Sequence, residues 1–125
     1  MPEMALEGKN ILIIEDEYFI ADDLKRAFAA KRARVVGPTG SFAAGADLAG
    51  KSNLDGAVLD VNLAGQPSYP IADALIARGV PFLFLTGYDG WAMPQQYRGV
   101  PRLLKSHSTD GVVTTLAKIL AGRVS

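Results

Sequence analysis

Short apolar runs and amphipathic segments alternate along this chain, and that alternation restricts the fold more than any other feature. Asn10-Ile11-Leu12-Ile13-Ile14 is a run of leucine and β-branched residues that stops at Glu15-Asp16-Glu17. Continuous apolar runs of this length read as strands buried on both faces. The period then changes. From Tyr18 to Ala30, Ile20, Leu24, Ala27 and Phe28 fall on one helical face, with Asp22, Asp23, Lys25 and Arg26 on the others. The pattern recurs with a strand at Arg34-Val35-Val36 and a helix through Leu48 and Ala49, for which Ser41 is the expected N-cap. Gly56 to Asp60 is a third strand that ends on a carboxylate, and Pro70 to Arg78 is a helix with Pro in its first turn and Gly79 just past its end. Phe82 to Leu85 and Arg102 to Leu104 are the fourth and fifth strands. Asp110 to Leu120 is the last helix, buried through Val113, Leu116, Ala117 and Leu120 and capped by Ser108 or Thr109.

Strands that alternate with helices imply a parallel sheet, because parallel neighbours need a right-handed crossover. The expectation is an α/β fold of three layers built on an open, parallel, five-stranded sheet. The connection from Tyr88 to Val100 carries Gly90, Pro94 and Gly99. The fourth helix is therefore expected to be short or absent, with no more than a turn near Pro94 to Tyr97. A length of 125 residues fits one domain, 1–125, with its core at about 8–122 and no output domain.

Composition removes several functions. Thirteen Lys and Arg balance thirteen Asp and Glu, and the pI is near 6.6, so no basic footprint for nucleic acid exists. Without cysteine there is no thiol nucleophile or Cys-ligated metal, and the single His107 forms no metal cluster. His107 is read as a solvated loop residue. No apolar segment is long enough for a membrane span, and Glu3 and Glu7 stand where a secretory leader would be basic. The expected setting is cytoplasmic, with no membrane partner.

In open parallel sheets, ligands bind beyond the carboxyl ends of the strands. Glu15 and Asp16 follow the first strand, Asp60 ends the third with Asn62 two residues on, Thr86 follows the fourth, and Lys105 follows the fifth. Taken singly, such carboxylates commonly cap the next helix. Together, three of them repel one another unless a cation lies among them. Mg²⁺ takes hard oxygen ligands from one or two carboxylates, water and phosphate. Lys105 and Thr86 would meet phosphoryl oxygens, and Asp60 is the candidate nucleophile, since a carboxylate can form an acyl phosphate. A haloacid-dehalogenase-type phosphatase fits less well, because its Asp-x-Asp motif follows the first strand, whereas Asp60-Val61-Asn62 follows the third.

These residues, in register over essentially the whole chain, resemble a response-regulator receiver domain. The stretch Pro81 to Tyr88 is similar to that of the Phe-Ala-Thr-Gly-x-Tyr receivers of alphaproteobacteria, many of them stand-alone, with Leu85 in place of the Ala. The resemblance implies a flavodoxin-like fold with strand order 2-1-3-4-5. It implies phosphotransfer to Asp60 from a histidine kinase or histidine phosphotransfer protein. Mg²⁺ would be held by Asp16, Asp60 and the backbone carbonyl of Asn62, with Glu15 acting through water. Thr86 and Lys105 would move toward the phosphoryl group and bias the surface of strands four and five and the last helix. The implied protein is a two-component or phosphorelay regulator, monomeric or weakly dimeric, that signals by binding a downstream protein partner.

The sequence departs from the family at two places. Ser106 follows Lys105 where receivers usually have Pro, so the loop that aims Lys105 is expected to be built differently. Arg102 occupies the place of the usual aromatic switch, which leaves Tyr88 or Tyr97 as substitutes. Trp91 and Met93, like Tyr18 and Phe19, are open to two readings, a partner patch or packing over the core. Two further functions stay open beside the phospho-acceptor: a non-phosphorylated adaptor of the same fold, and a small Mg²⁺-dependent phosphatase.

Overall fold

The computed structural model describes residues 5–88 and 92–122. In chain order its elements are β1 (Asn10–Ile14), α1 (Tyr18–Ala30), β2 (Arg34–Thr39), α2 (Phe42–Lys51), β3 (Gly56–Asp60), β4 (Asn62–Leu63), β5 (Gln66–Pro67), α3 (Tyr69–Ala77), β6 (Phe82–Thr86), β7 (Arg102–Leu104) and α4 (Thr109–Gly122). The main sheet is parallel, in the order β2-β1-β3-β6-β7. This is the expected five-strand order, with β6 and β7 as its fourth and fifth members. β4 and β5 form a separate antiparallel hairpin just past the end of β3, in a stretch that sequence reading treats as connection.

Side chains alternate across a strand, and the core divides accordingly. Ile11, Ile13, Val58, Leu83 and Leu85 face Leu24 and Phe28 of α1 and Val113 and Leu116 of α4. Leu12, Ile14, Leu59 and Phe84 face Ala49 of α2 and Ile71 and Leu75 of α3. All residues of β3 and β6 are buried, as a central parallel strand requires.

The helix boundaries follow local chemistry. Ser41 Oγ accepts the Ala44 N–H at 3.1 Å and caps α2. Ser108, rather than Thr109, caps α4, accepting the Gly111 N–H at 3.0 Å. Pro70 lies in the first turn of α3, and Gly79 follows it at φ +70°. Between β6 and β7 the described residues hold only a 3₁₀ turn, Gln95–Tyr97. Tyr97 fixes this turn: it is buried, stacks on Tyr69 at 4.8 Å, meets Phe84 edge-on, and donates its hydroxyl to Asp73 Oδ1 at 2.6 Å. Met93, half-buried, packs against the same cluster, and Trp91 lies outside the described residues. Tyr18 and Phe19 do not pack over the core and are 73% and 80% exposed.

Candidate functional site

The carboxyl ends of β1, β3, β6 and β7 open into a cleft of about 220 Å³ lined by Asp16, Asp60, Asn62, Thr86 and Lys105 among others. Lys105 is at its centre. Its ammonium donates to Asp60 Oδ2 at 2.8 Å, Glu15 Oε2 at 3.0 Å and Glu17 Oε1 at 3.1 Å, and lies 3.8 Å from Asp16 Oδ1. The Lys105 N–H donates to the Thr86 carbonyl at 2.8 Å, which carries the β6–β7 ladder one residue further. That ladder aims Lys105. The peptide to Ser106 is trans, since Gly37–Pro38 is the single cis bond among the described residues. The replacement of Pro by Ser therefore leaves the lysine at the site.

The carboxylates are held by main-chain donors. Glu15 Oε2 accepts the Glu17 N–H at 2.7 Å, Asp16 Oδ2 accepts the Ala64 N–H at 2.9 Å, and Asp60 Oδ1 accepts the Asn62 N–H at 3.1 Å. The turn after β2 closes over Asp16 so tightly that a Cβ on Gly40 would lie 2.8 Å from the Asp16 Cα. Only glycine fits there without a shift. Glu15 and Asp60 are each 2% exposed.

Burial pushes the Asp60 carboxyl up to about 8, against the pull of Lys105, with Asp16 and Glu15 adding to the rise. Burial likewise raises Glu15 despite the Glu17 N–H and Lys105. Burial opposes the charge on Asp16, but bonds to Asp60 and the Ala64 N–H together with the Lys105 charge outweigh it and hold the carboxyl below the usual carboxylate range. Burial opposes the Lys105 ammonium, but its bonds to Asp60 and Glu15 prevail and hold it above the usual lysine range. Several carboxylates thus share one ammonium, and the edge carries more negative charge than the chain neutralises.

This donor set fits a hard divalent cation. Ligand oxygens of Glu15, Asp16 and Asp60 lie within 4.8 Å of one another, and Glu15 Oε1 is buried without a hydrogen-bond partner. Asn62 lines the same cleft, and its own Oδ1 is also buried and unpartnered.

Glu15, Asp16, Asp60, Asn62, Thr86 and Lys105 all reach this edge, with one difference in engagement. Thr86 is buried in the cleft wall, but its hydroxyl donates to the Tyr88 carbonyl at 3.0 Å and accepts the Tyr88 N–H at 3.2 Å, not meeting Asp60 or Lys105. Tyr88 is exposed at the rim, while Tyr97 belongs to the aromatic core. His107 is an exposed loop residue. Three contributors escape sequence reading. Glu17 was visible as the third acid of the Glu15-Asp16-Glu17 run. The Ala64 N–H comes from a turn marked only by Gly65. Ser68, fully buried, donates its hydroxyl to the Asp60 carbonyl at 2.6 Å and has no sequence signal beyond preceding a helix start.

A doubly wound domain with an acidic cluster and a lysine at the carboxyl edge of its sheet defines the class. Comparison with solved structures gives the family. The chain is similar to SdrG from Sphingomonas melonis Fr1, with 38% identity, a TM-score of 0.78, and coverage of 93% of this chain and 98% of that one. It is also similar to the BeF3-activated conformation of SdrG from Pseudomonas melonis Fr1, with 37% identity, a TM-score of 0.73, and coverage of 89% and 95%. The N-terminal domain of a response regulator/sensory box/GGDEF protein from Carboxydothermus hydrogenoformans matches at 25% identity and a TM-score of 0.71, over 94% of this chain and 100% of that one. No model of a protein family matches the chain, and neither does any curated protein. The chain belongs to the response-regulator receiver family.

Proposed function

We propose that the chain accepts a phosphoryl group on Asp60 from a phosphohistidine donor, a histidine kinase or histidine phosphotransfer protein, and signals by phosphorylation-dependent binding to another protein. The observation that carries this reading is the convergence of Glu15, Asp16, Asp60 and Lys105 at one strand edge, with an ammonium 2.8 Å from the acceptor. A carboxylate oxygen of Asp60 forms the new P–O bond as the donor's P–N bond breaks, and the electron pair leaves with the imidazole. Asp60 must be ionised to attack, and in the buried cluster its proton is retained up to about pH 8. A bound Mg²⁺ would supply the missing positive charge, favouring the carboxylate and screening the incoming phosphoryl group.

In this reading Asp16, Asp60 and the Asn62 carbonyl hold the metal, with Glu15 acting through water. Lys105 exchanges its contact with Asp60 for a phosphoryl oxygen, and Thr86 leaves Tyr88 to donate to another. The surface around β6, β7 and α4 then carries the change to a partner. Residues 1–125 act as one receiver unit, a reading supported by the near end-to-end match with SdrG. Amide NMR with Mg²⁺ and beryllofluoride tests the whole scheme. Shifts are expected at Asp60, Thr86 and Lys105 that spread along β6 and β7, and an unchanged spectrum would favour the adaptor reading.

A further inference from the structure

The geometry points to Ser68 as a positioning residue for the acceptor edge, an inference that rests on the proposed role of Asp60. The Val61 N–H donates to the Leu85 carbonyl of β6 at 2.9 Å. The Asp60 carbonyl, on the opposite side of that same peptide, is therefore turned away from β6 and toward β1. Pairing of β1 with β3 ends at Ile14–Leu59, so the ladder offers that carbonyl no partner. Ser68 supplies one. Its hydroxyl donates to the Asp60 carbonyl at 2.6 Å, and its N–H donates to the Val61 carbonyl at 2.8 Å.

Ser68 occupies the N-cap position of α3, yet its side chain makes no cap bond to the helix. A serine there usually accepts from the first helical turn. Here the hydroxyl is diverted to the acceptor's own peptide. The two bonds close a loop from Asp60 to Ser68 that contains the β4–β5 hairpin, and this hairpin presents Asn62 to the cleft and the Ala64 N–H to Asp16. Ser68 thereby sets the acceptor backbone, Asn62 and the anchor of Asp16 with a single fully buried side chain. Removing an outer partner that orients metal ligands typically costs about 10- to 100-fold in metal affinity.

The test compares wild type with Ser68→Ala and Ser68→Cys, by Mg²⁺ titration and by amide NMR without metal. Cysteine fills similar space but is a weak donor. The proposal predicts that Mg²⁺ affinity falls about tenfold or more in both variants. It also predicts that the metal-free Asn62 and Ala64 amides shift while β1 and β6 amides stay protected. A folded Ser68→Ala with wild-type affinity would overturn it, as would a Ser68→Cys that matches wild type. Wild type that binds no Mg²⁺ overturns the receiver reading instead, and the metal-free shifts of Asn62 and Ala64 then decide the anchoring by Ser68 on their own.

Discussion

The Lys105 ammonium is 2.8 Å from Asp60 Oδ2 while also bonding Glu15 and Glu17, so one cation serves a pocket that holds several acids. That arrangement makes the lysine a competitor of any metal that draws on the same carboxylates. Lys105→Met removes the competitor. Mg²⁺ is expected to bind several-fold more tightly in this variant, measured by calorimetry, while beryllofluoride no longer shifts β6 and β7. Weaker Mg²⁺ binding would show that the lysine organises the carboxylates and does not compete for them.

The charge imbalance also sets a pH dependence. Asp60 has an ordinary value of 3.8 and a folded value of about 8. Between those limits the folded protein holds a proton that the unfolded chain releases. The contribution of Asp60 to stability is therefore complete below about pH 4 and lost as pH rises through 8. Glu15, also raised, acts in the same direction. Lys105 stays protonated in both states over this range and adds no slope. In EDTA, the melting temperature is expected to fall between pH 5 and 8, and Asp60→Asn is expected to flatten the fall, gaining about 4 °C over wild type at pH 8 for each 1 kcal/mol recovered. Excess Mg²⁺ should reverse the order of the two proteins at pH 8. Parallel pH profiles for wild type and Asp60→Asn would contradict this account.

Gly40→Ala places a Cβ against the Asp16 backbone. Overpacking against main chain costs about 1–3 kcal/mol. Chemical denaturation should register that loss, accompanied by weaker Mg²⁺ binding because Asp16 is displaced.

At the tip of the β4–β5 hairpin, Ala64 and Gly65 both have positive φ, +51° and +89°, the requirement of a type I′ turn. Asn-Gly is the favoured pair for this turn and alanine is not. Ala64→Asn is expected to stabilise the protein by part of the ~1–2 kcal/mol that the left-handed conformation costs an ordinary L-residue, without loss of the N–H bond to Asp16. A destabilised variant would indicate that the tip takes another conformation in solution.

The sheet was legible because each strand is a short apolar run between turn signals, and the acidic, hydroxyl and lysine residues at strand ends follow from that register. That the described residues between β6 and β7 hold only the Gln95–Tyr97 turn was legible too, because Gly90, Pro94 and Gly99 break the run a helix needs. The β4–β5 hairpin was not, since two-residue strands have no period to detect. The Ser68 bond was hidden for a related reason: its sequence position is that of an ordinary cap, and only the end of β1–β3 pairing at Leu59 diverts it to Asp60. Arg102 is an exposed residue of β7, and of the two aromatic substitutes Tyr97 is a core anchor bonded to Asp73. In the Phe84 to Asp89 stretch Tyr88 directly follows Gly87, one place earlier than in the Phe-Ala-Thr-Gly-x-Tyr pattern.

Whether Asp60 receives the phosphoryl group is decided by phosphotransfer from a labelled histidine kinase to wild type and Asp60→Asn in Mg²⁺. Stoichiometric, hydroxylamine-labile labelling is expected of wild type and none of Asp60→Asn. Equal labelling of both proteins would contradict the assignment of Asp60.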